Sequence, residues 1–189
     1  MLLPLFGWAI TGFIFFLKPG YQEAYELLAI KTYPIDSDEP INISPKPIWL
    51  EVRYLKTILG THLLVKTFEG WQHLDPITLL PKQTPTEKEI KTLVTDAFSL
   101  NPNRYGQILS INKQAIVTNT NITISLDWNR LSLQQTGKDT KFIDFLYKIH
   151  YLQWTGIKLL DQILGLLGLI LIILLSVLGI MLQINTKQK

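Results

Sequence analysis

Twenty consecutive residues without a charge, Ile163 to Leu182 (ILGLLGLILIILLSVLGIML), constrain this chain more than any other feature. The most polar side chain in the run is that of Ser176. At 1.5 Å per residue it makes about 30 Å of helix, the thickness of a bilayer's hydrocarbon core. It lacks the period that would let one face bury against a soluble core. A membrane span over residues 157–184 is predicted, followed by a short tail, 185–189.

A second apolar run, Met1 to Leu17 (MLLPLFGWAITGFIFFL), is closed by Lys18-Pro19-Gly20. It gives about 24 Å of helix from Leu2, enough to span with local thinning of the bilayer. A cleaved secretory signal is the alternative. No Lys or Arg precedes the run, no A-x-A-like site follows it, and Phe13, Phe15 and Phe16 are bulky where cleavage wants small residues. An uncleaved first span over residues 1–17 is therefore expected, and the missing basic leader leaves open a natural start upstream of Met1. Two spans around one long segment put both termini on one side. Lys187 and Lys189 mark that side as cytoplasmic, since short basic tails stay inside while long segments cross largely regardless of charge. Cysteine is absent, which excludes disulfides and thiolate chemistry alike, and the net charge of +3 is too small and dispersed to argue for nucleic acid.

The segment between the spans is ample for one domain with its own core. Residues 18–48 read as a short amphipathic helix, Tyr21 to Ile30, and a proline-rich linker, Asp36 to Pro47. Residues 49–140 read as an exported α+β domain. Strands are predicted over Trp49 to Ile58, His62 to Phe68, Trp71 to Leu74 and Ile77 to Leu80. Further strands follow over Tyr105 to Ile111, Ala115 to Thr118, Ile122 to Leu126 and Leu131 to Leu133. Within Lys82 to Asn103 a helix is expected with Thr84 as N-cap, Pro85 at its first position and Glu87 completing a capping box. Its apolar face is Ile90, Leu93, Val94 and Phe98. Residues 141–156 read as a membrane-proximal amphipathic helix. The expected fold is α+β: a small antiparallel sheet with helices, inserted between two transmembrane helices.

Along the second span, Asp161, Gly165, Gly168, Ser176, Gly179 and Gln183 project onto one side, with Ile172 interrupting. Gly7 and Thr11, with Pro4, form a smaller counterpart on the first span. Small residues admit a close helix and polar ones bond across the contact, so these are helix-packing candidates, within the chain, in a homodimer or with a partner helix. Lys158 and Asp161 are placed to pair at i, i+3. Trp8, Tyr151 and Trp154 read as interfacial belt residues against membrane lipid. The chain has no G-x-S-x-G, H-E-x-x-H or P-loop, and no catalytic residues are assigned. The triplets Asn42-Ile43-Ser44 and Asn121-Ile122-Thr123 match the glycosylation sequon, which arises readily by chance.

Several phrases resemble the PepSY-associated transmembrane family. The run IHYLQWTGIKLLDQILGLLGLILIILLSVLGIML, with His150, Gly156, Gly165, Gly168 and Gly179, is similar to that family's last-span pattern. WQHLDPITLLP (Trp71 to Pro81) and, more weakly, SLDWNRLSL (Ser125 to Leu133) resemble the end of a PepSY hairpin, without its usual glycine: Leu79 and Arg130 stand near its place. LPLFGWAITGFIFFL looks like the family's first span. The resemblance implies a PepSY-like domain on the outer side of a bacterial inner membrane, facing periplasm or exterior, which binds or regulates an envelope protein and needs no cofactor. It also implies an alternative, a subunit of a haem b reductase linked to iron-siderophore uptake, with His150 as haem ligand. A bis-histidine haem needs a second membrane-proximal histidine, and His62 and His73 fall in predicted strands of the exported domain.

Overall fold

The computed structural model describes residues 2–35, 43, 46–113 and 115–187. Most of the predicted linker, Asp36 to Pro47, lies outside the described residues, as do Met1, Gln188 and Lys189 and most of the sequon at Asn42. In chain order the elements are α1 (Leu2–Leu17), α2 (Tyr21–Ala24), β1 (Glu51–Thr57), β2 (Gly60–Thr67), β3 (Gly70–Leu74), α3 (Glu87–Phe98) and α4 (Pro102–Tyr105). Then come β4 (Ile108–Asn112), β5 (Ala115–Thr118), β6 (Thr123–Asp127), β7 (Ser132–Thr136), α5 (Lys138–His150) and α6 (Lys158–Lys187). The chain divides into two compact units, Gln22–Lys138, and Met1–Tyr21 with Asp139–Lys189.

The first of these units is α+β, with two antiparallel sheets where the sequence suggested one. β1, β2 and β3 form a meander in that order, and β4 to β7 form a second. Tight turns at Gly60 and Gly70, both at positive φ, close the first two hairpins and fix their register. α3 and α4 stand between β3 and β4, so the two sheets share no ladder. The main core joins them. Leu64 from the first sheet, Ile90, Leu93, Val94, Ala97 and Phe98 from α3, and Ile116, Ile124, Leu126 and Leu133 from the second pack into one cluster. The opposite face of the first sheet carries a smaller cluster, Leu63, Val65 and Leu74, with Trp49 and Leu79 against it.

Four local expectations are corrected. The helix over Tyr21 to Ile30 stops at Ala24. Beyond it the chain is extended, with Leu28 buried in the core while Leu27 is 91% exposed, and Tyr33 bridges Lys56 on the outer edge of β1. The strand over Ile77 to Leu80 is a tight loop: the Asp75 carboxylate accepts from the backbone N–H of Ile77 (3.0 Å) and Thr78 (2.8 Å), and Leu79 sits at φ 56°. Tyr105 ends α4 rather than opening a strand, because Asn101 caps a turn that starts with Pro102. The α3 N-cap is Thr86, not Thr84. Its hydroxyl accepts from Glu89 N and the Glu89 carboxylate accepts from Thr86 N, a complete capping box. The chain before it is still leaving the first sheet, since Lys82 N–H donates to the His73 carbonyl at 2.8 Å.

In the other unit, α6 is 30 residues long, and its segment Lys158–Asn185 is long and apolar enough to cross a membrane. Its large side chains are exposed along its length, from Leu159 at 67% to Ile184 at 54%, except for half-buried Ile172 on the face of Gly165 and Gly168. α1, at 16 residues, is apolar but shorter than a full span. α5 ends at His150, so the predicted helix to residue 156 is shorter, and a loop with Leu152 and Gly156 at positive φ leads into α6.

Candidate functional site

β2 and β3 bring His62 and His73 onto the inner face of the first sheet. The hairpin pairs Leu64 with His73, which makes His62 the diagonal neighbour of His73 on the same side. Both imidazoles are buried, at 0% and 3% exposure. His73 Nδ1 lies 2.8 Å from the Trp128 carbonyl, His62 Nδ1 lies 2.9 Å from His73 Nε2, and Thr57 Oγ1 lies 2.8 Å from His62 Nε2. A carbonyl only accepts, so His73 carries a proton on Nδ1 and, as a neutral ring, presents Nε2 as an acceptor. His62 must then donate from Nδ1 and accept at Nε2 from the Thr57 hydroxyl. Thr57 Oγ1 in turn accepts from Leu59 N–H at 3.1 Å. With both rings neutral, this proton order satisfies every bond in the relay.

The electrostatics enforce that state. Burial, with the ammonium of Lys82 and the neighbouring ring, lowers His62 to about 3. Burial also dominates at His73, opposed by the bond to the Trp128 carbonyl, and lowers it to about 4. The Trp128 ring completes the cluster, centred 4.3 Å from His73 and 5.7 Å from His62. Lys82 donates to the Thr61 carbonyl at 2.7 Å and is itself lowered by burial. With no open face for a substrate, the relay works as a clasp. It ties the first sheet to the β6–β7 turn of the second. Sequence reasoning placed both histidines in strands without pairing them, although the Glu69-Gly70 turn already sets them on one face.

His150 closes α5 in the other unit. Thr11 Oγ1 lies 2.6 Å from the Gly7 carbonyl and 2.8 Å from His150 Nδ1. Its single proton goes to the carbonyl, so His150 donates from Nδ1, and Nε2 has no hydrogen-bond partner among the described residues. The Trp8 indole N–H donates to the His150 carbonyl. Phe15 packs edge-on to the His150 ring at 5.1 Å and stacks on Tyr147 at 4.6 Å.

The predicted helix-packing residues separate into two groups. A Cβ on Gly168 would lie 2.9 Å from both the Trp8 ring and Leu152, so α1 and α6 meet here. Gly7 faces Ile149, and Gly165 faces the Tyr151 carbonyl at 3.6 Å. Gly7 and Thr11 therefore address α5 rather than α6. Gly179 has open space around it, and Ser176 bonds the Ile172 carbonyl of its own helix. Asp161 turns back on the loop before α6, accepting from Thr155 N (3.0 Å) and Thr155 Oγ1 (2.8 Å). It forms no pair with Lys158, because that carboxylate is already engaged by the loop. Trp154 and Tyr151 are exposed, whereas Trp8 lines an apolar cavity of about 270 Å³ with Leu5, Leu152, Trp154 and Leu167.

The residues do not fit a bis-histidine haem within one chain. The sequence holds three histidines, and two of them are bonded to each other in the α+β unit. Among the described residues no group of three or more His, Asp and Glu side chains is placed to share a metal ion. No protein-family model matches the chain, and no curated protein or solved structure matches it.

Proposed function

We propose that this chain is a non-enzymatic, membrane-anchored binding module of PepSY type. In this reading α1 and α6 both cross the bacterial inner membrane, both termini are cytoplasmic, and the α+β domain stands outside, where it engages an envelope protein. The observation that carries the reading is a contrast between two apolar surfaces. α6 exposes apolar side chains over most of its surface, as a lipid-facing helix does. On the domain, large apolar side chains are exposed at separate points, Leu27 (91%), Phe68 (85%) and Leu109 (68%) among them, and as a pair on one loop at Ile77 (89%) and Leu80 (64%). Those two sit on the Asp75 loop, held by three bonds to one carboxylate oxygen, including the Thr78 hydroxyl at 3.0 Å. A rigid loop that displays apolar side chains loses little entropy when a partner covers it. Its bonds also hold the Asp75 carboxyl below the usual range.

Single cysteines at Glu69 and Gln188, probed with an impermeant maleimide in spheroplasts, test the topology. Labelling at Glu69 alone is expected, and labelling at Gln188 alone reverses it. A photo-crosslinking residue at Ile77, compared with one at exposed Lys113, tests the contact. One discrete adduct specific to Ile77 is expected, and equal patterns at both sites refute the loop as a binding surface.

The competing reading is a haem-containing reductase subunit. One observation favours it, the unengaged Nε2 of His150. It requires a second histidine from another copy, another protein or chain upstream of Met1. A Soret band in the purified membrane protein that vanishes in His150→Ala would establish it.

A further inference from the structure

We propose that the membrane unit binds an anionic phospholipid in a groove between the end of α5 and the first turns of α6. The proposal rests on the membrane reading above. The groove, of about 720 Å³, is lined by Lys148 near the end of α5, by Gln153, and along α6 by Lys158 and then Gly165, Leu166 and Leu169. Polarity therefore changes along its length as it does from headgroup to acyl chain. Lys148 and Lys158 form no ion pair among the described residues. Asp161 also lines the groove, but the residue is 8% exposed and its carboxylate is turned onto Thr155, so two ammonium groups outnumber one carboxylate there. Gly165 presents backbone at the floor, where a larger side chain would block a chain lying along α6.

The depth is right for this occupant. Lys158 lies one and a half turns before the uncharged run begins at Ile163, which sets it at headgroup level when that run fills the hydrocarbon core. Tyr151 and Trp154, 56% and 55% exposed, flank the same level, where amphipathic rings prefer to sit. Charge complementarity selects the lipid: a zwitterionic headgroup brings its own cation to the lysines, whereas phosphatidylglycerol does not. Each lysine near an anionic surface favours binding about five-fold.

The full chain is reconstituted into vesicles of phosphatidylcholine with 20% phosphatidylglycerol, floated, and extracted for native mass spectrometry of retained lipid. The ratio of phosphatidylglycerol to phosphatidylcholine in the retained lipid should exceed that of the bilayer by up to about 25-fold, about five-fold for each lysine. Lys148→Ala/Lys158→Ala should abolish that excess, while Lys138→Ala/Lys141→Ala, which removes the same charge outside the groove, should preserve it. Equal retention of both lipids, or equal loss in both double variants, overturns the site. Failure of the chain to float with vesicles of any composition overturns the membrane reading instead. Gly165→Leu supplies an independent check, since it keeps both lysines and should still reduce retained lipid.

Discussion

His62 donates from Nδ1 to Nε2 of His73 across 2.9 Å, so each ring's protonation state is fixed by the other's. A second proton on His73, at Nε2, faces the Nδ1–H of His62, and one on His62, at Nε2, faces the Thr57 hydroxyl hydrogen. Both folded-state values, about 3 and about 4, lie below the ordinary 6.5 of an unfolded chain. Below pH 6.5 the unfolded state therefore binds more protons than the folded one, and stability falls as pH falls. The loss runs from pH 6.5 down to about 4 and 3, with a slope approaching about 2.7 kcal/mol per pH unit for two protons. Urea unfolding of the domain signal in detergent between pH 7 and 4.5 should show this slope, and His62→Leu/His73→Leu should flatten it. A wild-type midpoint constant over that range would contradict the neutral relay.

Thr57→Val removes the donor to His62 Nε2 while keeping side-chain volume. A buried acceptor then loses its partner, at a cost of about 1–3 kcal/mol, and Thr57→Ser should restore most of it. Chemical denaturation distinguishes the two variants. Equal stability of valine and serine would mean that the hydroxyl does not donate here.

Thr86→Ala removes the cap of α3 and should cost about 1 kcal/mol, whereas Thr84→Ala should stay within about 0.5 kcal/mol. The reverse ranking would restore the cap at Thr84. The pair tests helix register directly, because both residues precede a glutamate by three positions.

Gly168→Ile places a branched side chain against the Trp8 ring and Leu152, and overpacking of this kind costs about 1–3 kcal/mol. Gly179→Ile meets nothing. Proteolysis of reconstituted protein should cut the loop between α5 and α6 faster in the first variant and at the wild-type rate in the second. Identical rates would mean that α1 and α6 do not pack at this level.

Much of the architecture was legible because its causes are local. The α3 face of Ile90, Leu93, Val94 and Phe98, the strand Ala115 to Thr118 and the uncharged run in α6 each follow from a pattern within one segment. What escaped depends on distant partners. Thr84-Pro85 and Thr86 offer two acceptable caps, and the bond from Lys82 to the His73 carbonyl decides between them. Tyr25, Leu28 and Ile30 fit a helix as well as an extended chain until the core claims Leu28 and β1 claims Tyr33. The division into two sheets follows from where α3 packs, which no local pattern records. At the histidine pair the face was readable from the hairpin, but the Trp128 carbonyl that fixes the tautomers comes from 55 residues away.

The outer strands of the first sheet have a further consequence. Tyr33 is bridged to β1, and Pro81 is bridged to the end of β3, where the ladder would otherwise continue. In the proposed topology the domain is tethered to a bilayer and would meet its copies in two dimensions, at a local concentration far above that in free solution. Open strand edges under such crowding template intermolecular ladders and, in time, cross-β deposits. With each edge covered at one point by its own chain, and one of them by a residue that has no N–H to offer, neighbouring copies held in that topology would be hindered from seeding an aggregate through this sheet.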